Sequence, residues 1–251
     1  MKLLSLARDL RRRKARERQG LFVAEGVRGV EELLASGLDV RGLLTAPTLP
    51  HTPRGAALLA AAETRRVPVL AVSDADFASA ADTDSPQGVL AVAEVPRFDL
   101  DALPAGPLRL LVLDAVQDPG NVGTLLRTAA AFGVAATIAL PGTVDLWNAK
   151  VVRSAMGALF HRPTFSLTAE ALAGFLAVRD VTLWGADADG APVATLTPPA
   201  RLALAVGNEG AGLTPPVRAL AARLVSIPID GDVESLNVAV AAGILLHRLC
   251  A

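Results

Sequence analysis

From residue 108 onwards five runs, "LRLLVLDAV", "AATIAL", "VTLWGADA", "RLALAVG" and "LVSIPI", are apolar almost throughout instead of alternating with polar residues. A strand of that kind has to be covered on both faces, which is the situation of a parallel sheet sandwiched between helices. The stretches between them carry apolar residues at helical spacing: 122–132, 145–160 ("DLWNAKVVRSAMGALF"), "AEALAGFLAVR", "PPVRALAA" and "SLNVAVAAGILLHRL". "PTFSL" adds a short strand. The pattern predicts an α/β domain over 108–251. A smaller alternation, with strands "LFVAE", "VRGLLTA", "VPVLAV" and "GVLAVAEV" separated by helices, predicts a small α/β domain within 1–95. "PRFDLDALPAGP", 96–107, with three prolines, reads as the linker.

Charge is uneven along the chain. Residues 1–20 hold eight basic side chains, including Arg11, Arg12 and Arg13, against two acidic ones, although the whole chain carries a formal net charge of −1. Such a basic arm suits a polyanionic partner, because phosphate contacts are largely electrostatic. Aromatic residues make up only 4% and tyrosine is absent, so base-stacking platforms are not expected and a nucleic acid would be held by its backbone and shape. The single cysteine, Cys250, excludes an internal disulfide and a cysteine-based zinc cluster, and His51, His161 and His247 have no metal-ligand spacing. No metal is expected. No apolar run reaches the length of a membrane span, and the apolar patch near the N-terminus precedes its charges, the wrong order for a secretory signal; a cytoplasmic protein is expected.

Ligands of open parallel sheets lie beyond the carboxyl ends of the strands. Three loops there carry unusual residues. "DPGNVGTLLR" has glycines that permit close backbone approach, Asn121 as a helix cap and Arg127 further along the helix. "LAVGNEGAGL" frames Asn208 and Glu209 with Gly207, Gly210 and Gly212, and matches neither the P-loop nor the dinucleotide fingerprint. "IPIDGDVESLNVAVAAG" ends a strand at Ile229 and opens a helix with Ser235 and Asn237, where Leu236, Val238, Val240 and Ile244 look like core. Each has an ordinary structural reading as a cap or a turn.

Together, in this order, "DPGNVGTLLRTAAAFG", "VGNEGAGL" and "IPIDGDVESLNVAVAAGILL" resemble the three signature motifs of the SpoU (TrmH-like) RNA ribose 2′-O-methyltransferases of the SPOUT superfamily. "NAKVVRSAMGALFHRP" is similar to the segment between motifs one and two. "FVAEGVRGVEELLASG" and "DSPQGVLAV" are similar to the substrate-binding domain that often precedes the catalytic one.

The resemblance implies a SPOUT-type parallel sheet with helices on both faces and a deep trefoil knot, preceded by a small α/β substrate-binding domain. It implies S-adenosylmethionine as cofactor, contacted by Gly207, Ile227 and Leu236, with Leu204, Gly210, Ile229 and Ala239 in the surrounding backbone. Arg127 would be the catalytic arginine, Asn121 would orient it or the ribose, Glu209 would support the second motif, and Ser235 and Asn237 would shape the site. The family proposal treats the arginine as a general base; a guanidinium does not give up its proton near neutrality, so a charge-stabilising role is preferred on physical grounds. A homodimer is implied, with apolar faces at 146–160 and 234–249 as candidates for the contact, and Arg153 joins Arg11, Arg12 and Arg13 as a candidate RNA contact. The substrate expected is ribosomal RNA. Transfer RNA as substrate, a non-catalytic RNA-binding protein of the same fold, and an unrelated nucleotide-binding α/β protein are the alternatives.

Overall fold

The computed structural model describes residues 2–231 and 234–250. Its contacts divide the chain into two compact units, Met1–Arg97 with Asp145–His161, and Phe98–Val144 with Arg162–Ala251.

In the first unit the strands β1 (Leu21–Glu25), β2 (Val40–Thr45), β3 (Val69–Ala71) and β4 (Val89–Glu94) form a mixed sheet in the order β1-β4-β2-β3. β4 runs antiparallel to both neighbours and β2 parallel to β3. Helices α1 (Lys2–Asp9), α2 (Arg13–Gln19), α3 (Val27–Ala35), α4 (Pro53–Thr64) and α5 (Asp74–Ala80) accompany it. The basic N-terminal segment is therefore no free arm. Leu4, Ala7 and Leu10 are buried in one cluster with Val23, Leu44 and Phe77, and Ala15 is buried too. Most of its charge is already partnered: Arg8 pairs with Asp76, Arg12 and Arg18 with Asp9, and Arg13 with Glu17. Arg16 is 6% exposed. Its guanidinium bonds Asp145 at 2.5 and 2.8 Å and the carbonyls of Leu10 and Arg11 at 2.8 and 2.9 Å.

Asp145–His161, expected within the second domain, belongs to this unit because its apolar side chains are buried here: the rings of Trp147 and Phe160 lie 4.6 and 5.7 Å from Phe22, which has no exposed surface. The single helix expected over 145–160 is two helices, α7 (Ala149–Ser154) and α8 (Ala158–His161). Met156 and Gly157 part them with φ of 50° and 91°, left-handed values that no helix can carry through.

The second unit is built on β5 (Leu108–Leu113), β6 (Ala136–Ala139), β7 (Thr164–Ser166), β8 (Thr182–Pro192), β9 (Arg201–Val206) and β10 (Arg223–Ser226), in the order β10-β8-β9-β5-β6-β7 and parallel throughout. Helices α6 (Pro119–Ala131), α9 (Ala169–Val178), α10 (Pro215–Leu220) and α11 (Val238–Cys250) cover it. One core cluster joins Leu110, Val112, Ile138, Leu172, Leu183, Ala203 and Ala205, as the continuous apolar strands demand. β5 and β9 are central neighbours that end in register, Leu113 opposite Val206, so the loops that follow them emerge side by side.

α11 starts at Val238, with the Asn237 side chain accepting hydrogen bonds from the amides of Ala239 and Val240. Ala239, Ala242, Leu245, Leu246 and Leu249 form its buried face, whereas Val240 and Ile244, expected as core, are 52% and 43% exposed. The apolar residues run around more of this helix than one face can bury. Among the described residues no helix is long and apolar enough to cross a membrane.

Candidate active site

Asp118, not Asn121, caps α6: its carboxylate accepts from the Asn121 amide at 2.7 Å. That leaves the Asn121 side chain to bridge. Its Nδ2 donates to Glu209 Oε1 at 3.0 Å, and its Oδ1 accepts from Asn237 Nδ2 at 3.0 Å. Glu209 also accepts from the amides of Gln117 and Asp118 at 3.4 and 3.3 Å. One hydrogen-bonded chain, Glu209–Asn121–Asn237, thus ties together the loops after β5, β9 and β10. Partial burial opposes ionisation of Glu209, but the bonds from Asn121 and from the backbone amides of Glu209, Asp118 and Gln117 outweigh it and hold its pKa below the usual carboxylate value. The carboxylate therefore stays an acceptor at neutral pH.

The loop after β9 is folded on itself. Asn208 and Gly212 exchange backbone hydrogen bonds of 2.9 and 3.0 Å. The Asn208 Oδ1 accepts from the amides of Gly210 and Ala211, and its Nδ2 donates to the Ala115 carbonyl in the loop that follows β5. A Cβ on Gly207 would lie 2.2 Å from the carbonyl carbon of Gly212, so glycine is obligatory there. Buried Asp114 anchors the far end of the loop by accepting from the amide and hydroxyl of Thr214 at 2.6 and 3.1 Å.

Beside these loops lies a cavity of about 480 Å³. Of the residues expected at the cofactor, Gly207, Gly210, Ile227, Ile229 and Leu236 line it, as do Glu209 and Ser235. Leu204, in mid-strand, and Ala239, on the inward face of α11, are buried and stand outside the lining. Asn121, Asn237 and Arg127 also stand outside it. Arg127 is exposed on α6 and has no hydrogen bond or ion pair among the described residues. Asp232 and Val233 of the third loop lie outside the described residues.

Sequence reasoning missed one wall. The pairing of β8 with β10 breaks register, Leu224 opposite Gly185 and Val225 opposite Ala191, and the displaced stretch of β8 puts Ala186, Asp187 and Ala188 on the cavity. The Gly190 carbonyl accepts from Ser226 Oγ at 2.8 Å, and a Cβ on Gly190 would lie 2.5 Å from the Val225 nitrogen. "GADADG" in the sequence, small residues interrupting an apolar strand, was the available signal of a bulge.

A parallel α/β unit with loops from three strand ends joined beside a cavity is the arrangement of a ligand-binding enzyme of the open-sheet class. Residues 109–247 match the model of the SpoU rRNA Methylase family, and residues 5–91 match the MRM3-like substrate binding domain. The chain belongs to the SpoU rRNA methylase family. It is 34% identical, over 96% of its length and 93% of the relative's, to the Bacillus subtilis 23S rRNA (guanosine(2553)-2′-O)-methyltransferase RlmP. It is 32% identical to the 23S rRNA (uridine(2479)-2′-O)-methyltransferase of Streptomyces viridochromogenes, over 94% of its length and 84% of the relative's. Among solved structures, the SpoU methyltransferase AviRb of Streptomyces viridochromogenes in complex with the cofactor AdoMet superposes with a TM-score of 0.89 at 29% identity, covering 100% of this chain and 97% of that one. The AdoMet-bound rRNA methyltransferase of Sinorhizobium meliloti gives 0.85 at 29% identity, covering 98% and 93%.

Proposed function

We infer that this member of the SpoU family transfers the methyl group of S-adenosylmethionine to a ribose 2′-hydroxyl of ribosomal RNA, with 23S rRNA as the substrate. The observation that carries the reading is the Glu209–Asn121–Asn237 chain, which ties the first motif loop to the second and third, the two that line the cavity. The residues present fit the cofactor. The cavity falls in the size range of small-molecule sites, roughly 300–1,000 Å³. Its lining includes the carboxylates of Asp187, Glu209 and Glu234 and no lysine or arginine among the described residues. Such a lining favours a sulfonium cation over a phosphate-bearing nucleotide, even with Asp187 paired to Arg218. Gly210 leaves room for close backbone approach, since a Cβ there would have only the Asn208 Oδ1, at 3.8 Å, near it.

When bound, the cofactor supplies an electrophilic methyl group. The chain's own part is to hold donor and ribose in line and to stabilise the oxygen that loses its proton. Asn121, fixed at both ends of its amide, keeps the start of α6 in place, with Ser235 at the rim. Arg127, exposed and without a hydrogen bond or ion pair among the described residues, stabilises the developing alkoxide or the neighbouring phosphate. Arg11, Arg12, Arg13 and Arg153 are the contacts to the RNA backbone in this reading, and Arg12, Arg13 and Arg153 would exchange their present partners Asp9, Glu17 and Asp82 for phosphate. The reading includes the trefoil knot of the resemblance, in which the C-terminal chain threads through a loop.

Incubation with labelled S-adenosylmethionine and ribosomal RNA from cells lacking the gene, followed by digestion to nucleosides, is expected to place label on one 2′-O-methylnucleoside. Label on a base, or none, would contradict the assignment.

A homodimer belongs to the same reading. Exposed Val240 and Ile244 offer an apolar stripe on α11, and Arg127, outside its own cavity, would serve the site of a second copy. Mixing Arg127→Ala chains with Gly207→Ala chains is then expected to restore about a quarter of wild-type activity, since random exchange leaves one intact site in half of the dimers. Two inactive variants that stay inactive after exchange would exclude a shared site.

A further inference from the structure

The N-terminal unit holds a cavity of its own, about 230 Å³. Its walls come from three stretches: the end of β1 and the first turn of α3 with Arg28 and Gly29, the loop before β4 with Ser85 and Gln87, and the end of α7 with Arg153 together with Met156 in the break that follows. The third wall lies within the part of the sequence that matches the methylase model, outside the 5–91 match to the substrate-binding domain. We propose that this cavity receives one unpaired base of the RNA substrate, packed between Met156 and Arg28 and read by polar groups at its rim; the proposal rests on the RNA-methyltransferase reading.

Size, chemistry and backbone conformation support it. The volume is below the roughly 300–1,000 Å³ of sites for larger ligands, which leaves room for one planar ring system. Arg28 is exposed and makes no hydrogen bond or ion pair among the described residues, so its planar guanidinium is free to lie on a base. Gln87 is held through its Oε1, which accepts from the Val27 amide at 2.9 Å, leaving its amide nitrogen as an oriented donor. The carboxylate of buried Glu25 is occupied by the amides of Asp82 and Thr83 and by the Thr83 hydroxyl, so it does not compete for those groups.

Met156 sits at φ 50°, a conformation disfavoured for any residue with a Cβ. Glycine would be cheaper there, as it is at position 157. The strain is retained for the side chain, a polarizable wall able to pack on a ring. This departs from the expectation, drawn from the scarcity of aromatic residues, that the RNA is gripped by backbone and shape alone.

The test measures KM for a ribosomal RNA fragment, with cofactor affinity and Tm recorded alongside. In Gly29→Leu the new side chain enters open space on a helix, since nothing lies within 4 Å of a Cβ there, and it fills the cavity. Met156→Gly removes the wall while relieving the left-handed strain. Both are expected to raise KM for RNA about tenfold or more, the value of one stacked base, with cofactor affinity unchanged and Tm not lowered. A fragment carrying an abasic nucleotide at one unpaired position should weaken the wild type by a similar factor and Gly29→Leu no further. Unchanged KM in both variants, a fall in Tm that accounts for the loss, or an abasic series without a sensitive position would overturn the cavity proposal while methyl transfer by the wild type persists. Absence of methyl transfer by the wild type would instead overturn the reading beneath it.

Discussion

Gly207→Ala is expected to abolish cofactor binding while the protein remains folded. The added methyl would stand 2.2 Å from the Gly212 carbonyl carbon and 2.5 Å from the Leu213 nitrogen, both backbone atoms with no rotamer by which to retreat. The loop would have to open, which breaks the paired Asn208 and Gly212 hydrogen bonds and pulls Glu209 away from Asn121. Losing those interactions should cost at least about 3 kcal/mol of binding, a factor of roughly 100 or more. The sheet beneath is held by its own core, Leu110, Val112, Ala203 and Ala205 among others, so unfolding midpoints should move far less. Titration of S-adenosylmethionine into the variant checks this; affinity within tenfold of wild type would show that the loop does not define the site.

Removing either partner of the Arg16–Asp145 pair is expected to destabilise the first unit by about 3–5 kcal/mol, because the survivor is left as an uncompensated buried charge. The side chains are only 7% and 16% exposed, and Arg16 additionally closes the corner between α1 and α2 through the Leu10 and Arg11 carbonyls. Replacing both together with apolar residues of similar volume, Arg16→Met with Asp145→Leu, should recover most of the loss. Denaturant unfolding of the three variants distinguishes the cases; single variants that lose less than about 1 kcal/mol would place the pair with ordinary surface salt bridges.

These two predictions come from different layers of legibility. The parallel sheet of the second unit was readable because strands such as "LLVL" and "LALAV" are apolar on both sides, which only two covering layers explain. Glycine, asparagine and glutamate beyond a strand end read equally well as caps and turns, so the site loops were singled out by the resemblance of the three together to the family's motifs and not by any one of them. Periodicity says that a face is buried, not against what. The stretch with Trp147 and Phe160 has a core-forming pattern whichever unit it joins, and only Phe22 and Arg16 decide the matter. Charge likewise reads as availability in a sequence, whereas Arg8, Arg12, Arg13, Arg16 and Arg18 find carboxylates once folded. Asp187 was hidden because its position depends on a register break between two strands that are far apart in sequence.

The most direct test of the central claim is calorimetric titration of the wild-type protein with S-adenosylmethionine, ATP and NAD in turn. The joined loops and the carboxylate-lined cavity predict saturable binding of the sulfonium compound and none of the two phosphate-bearing nucleotides. Heat from ATP or NAD, or none from S-adenosylmethionine, would contradict the account.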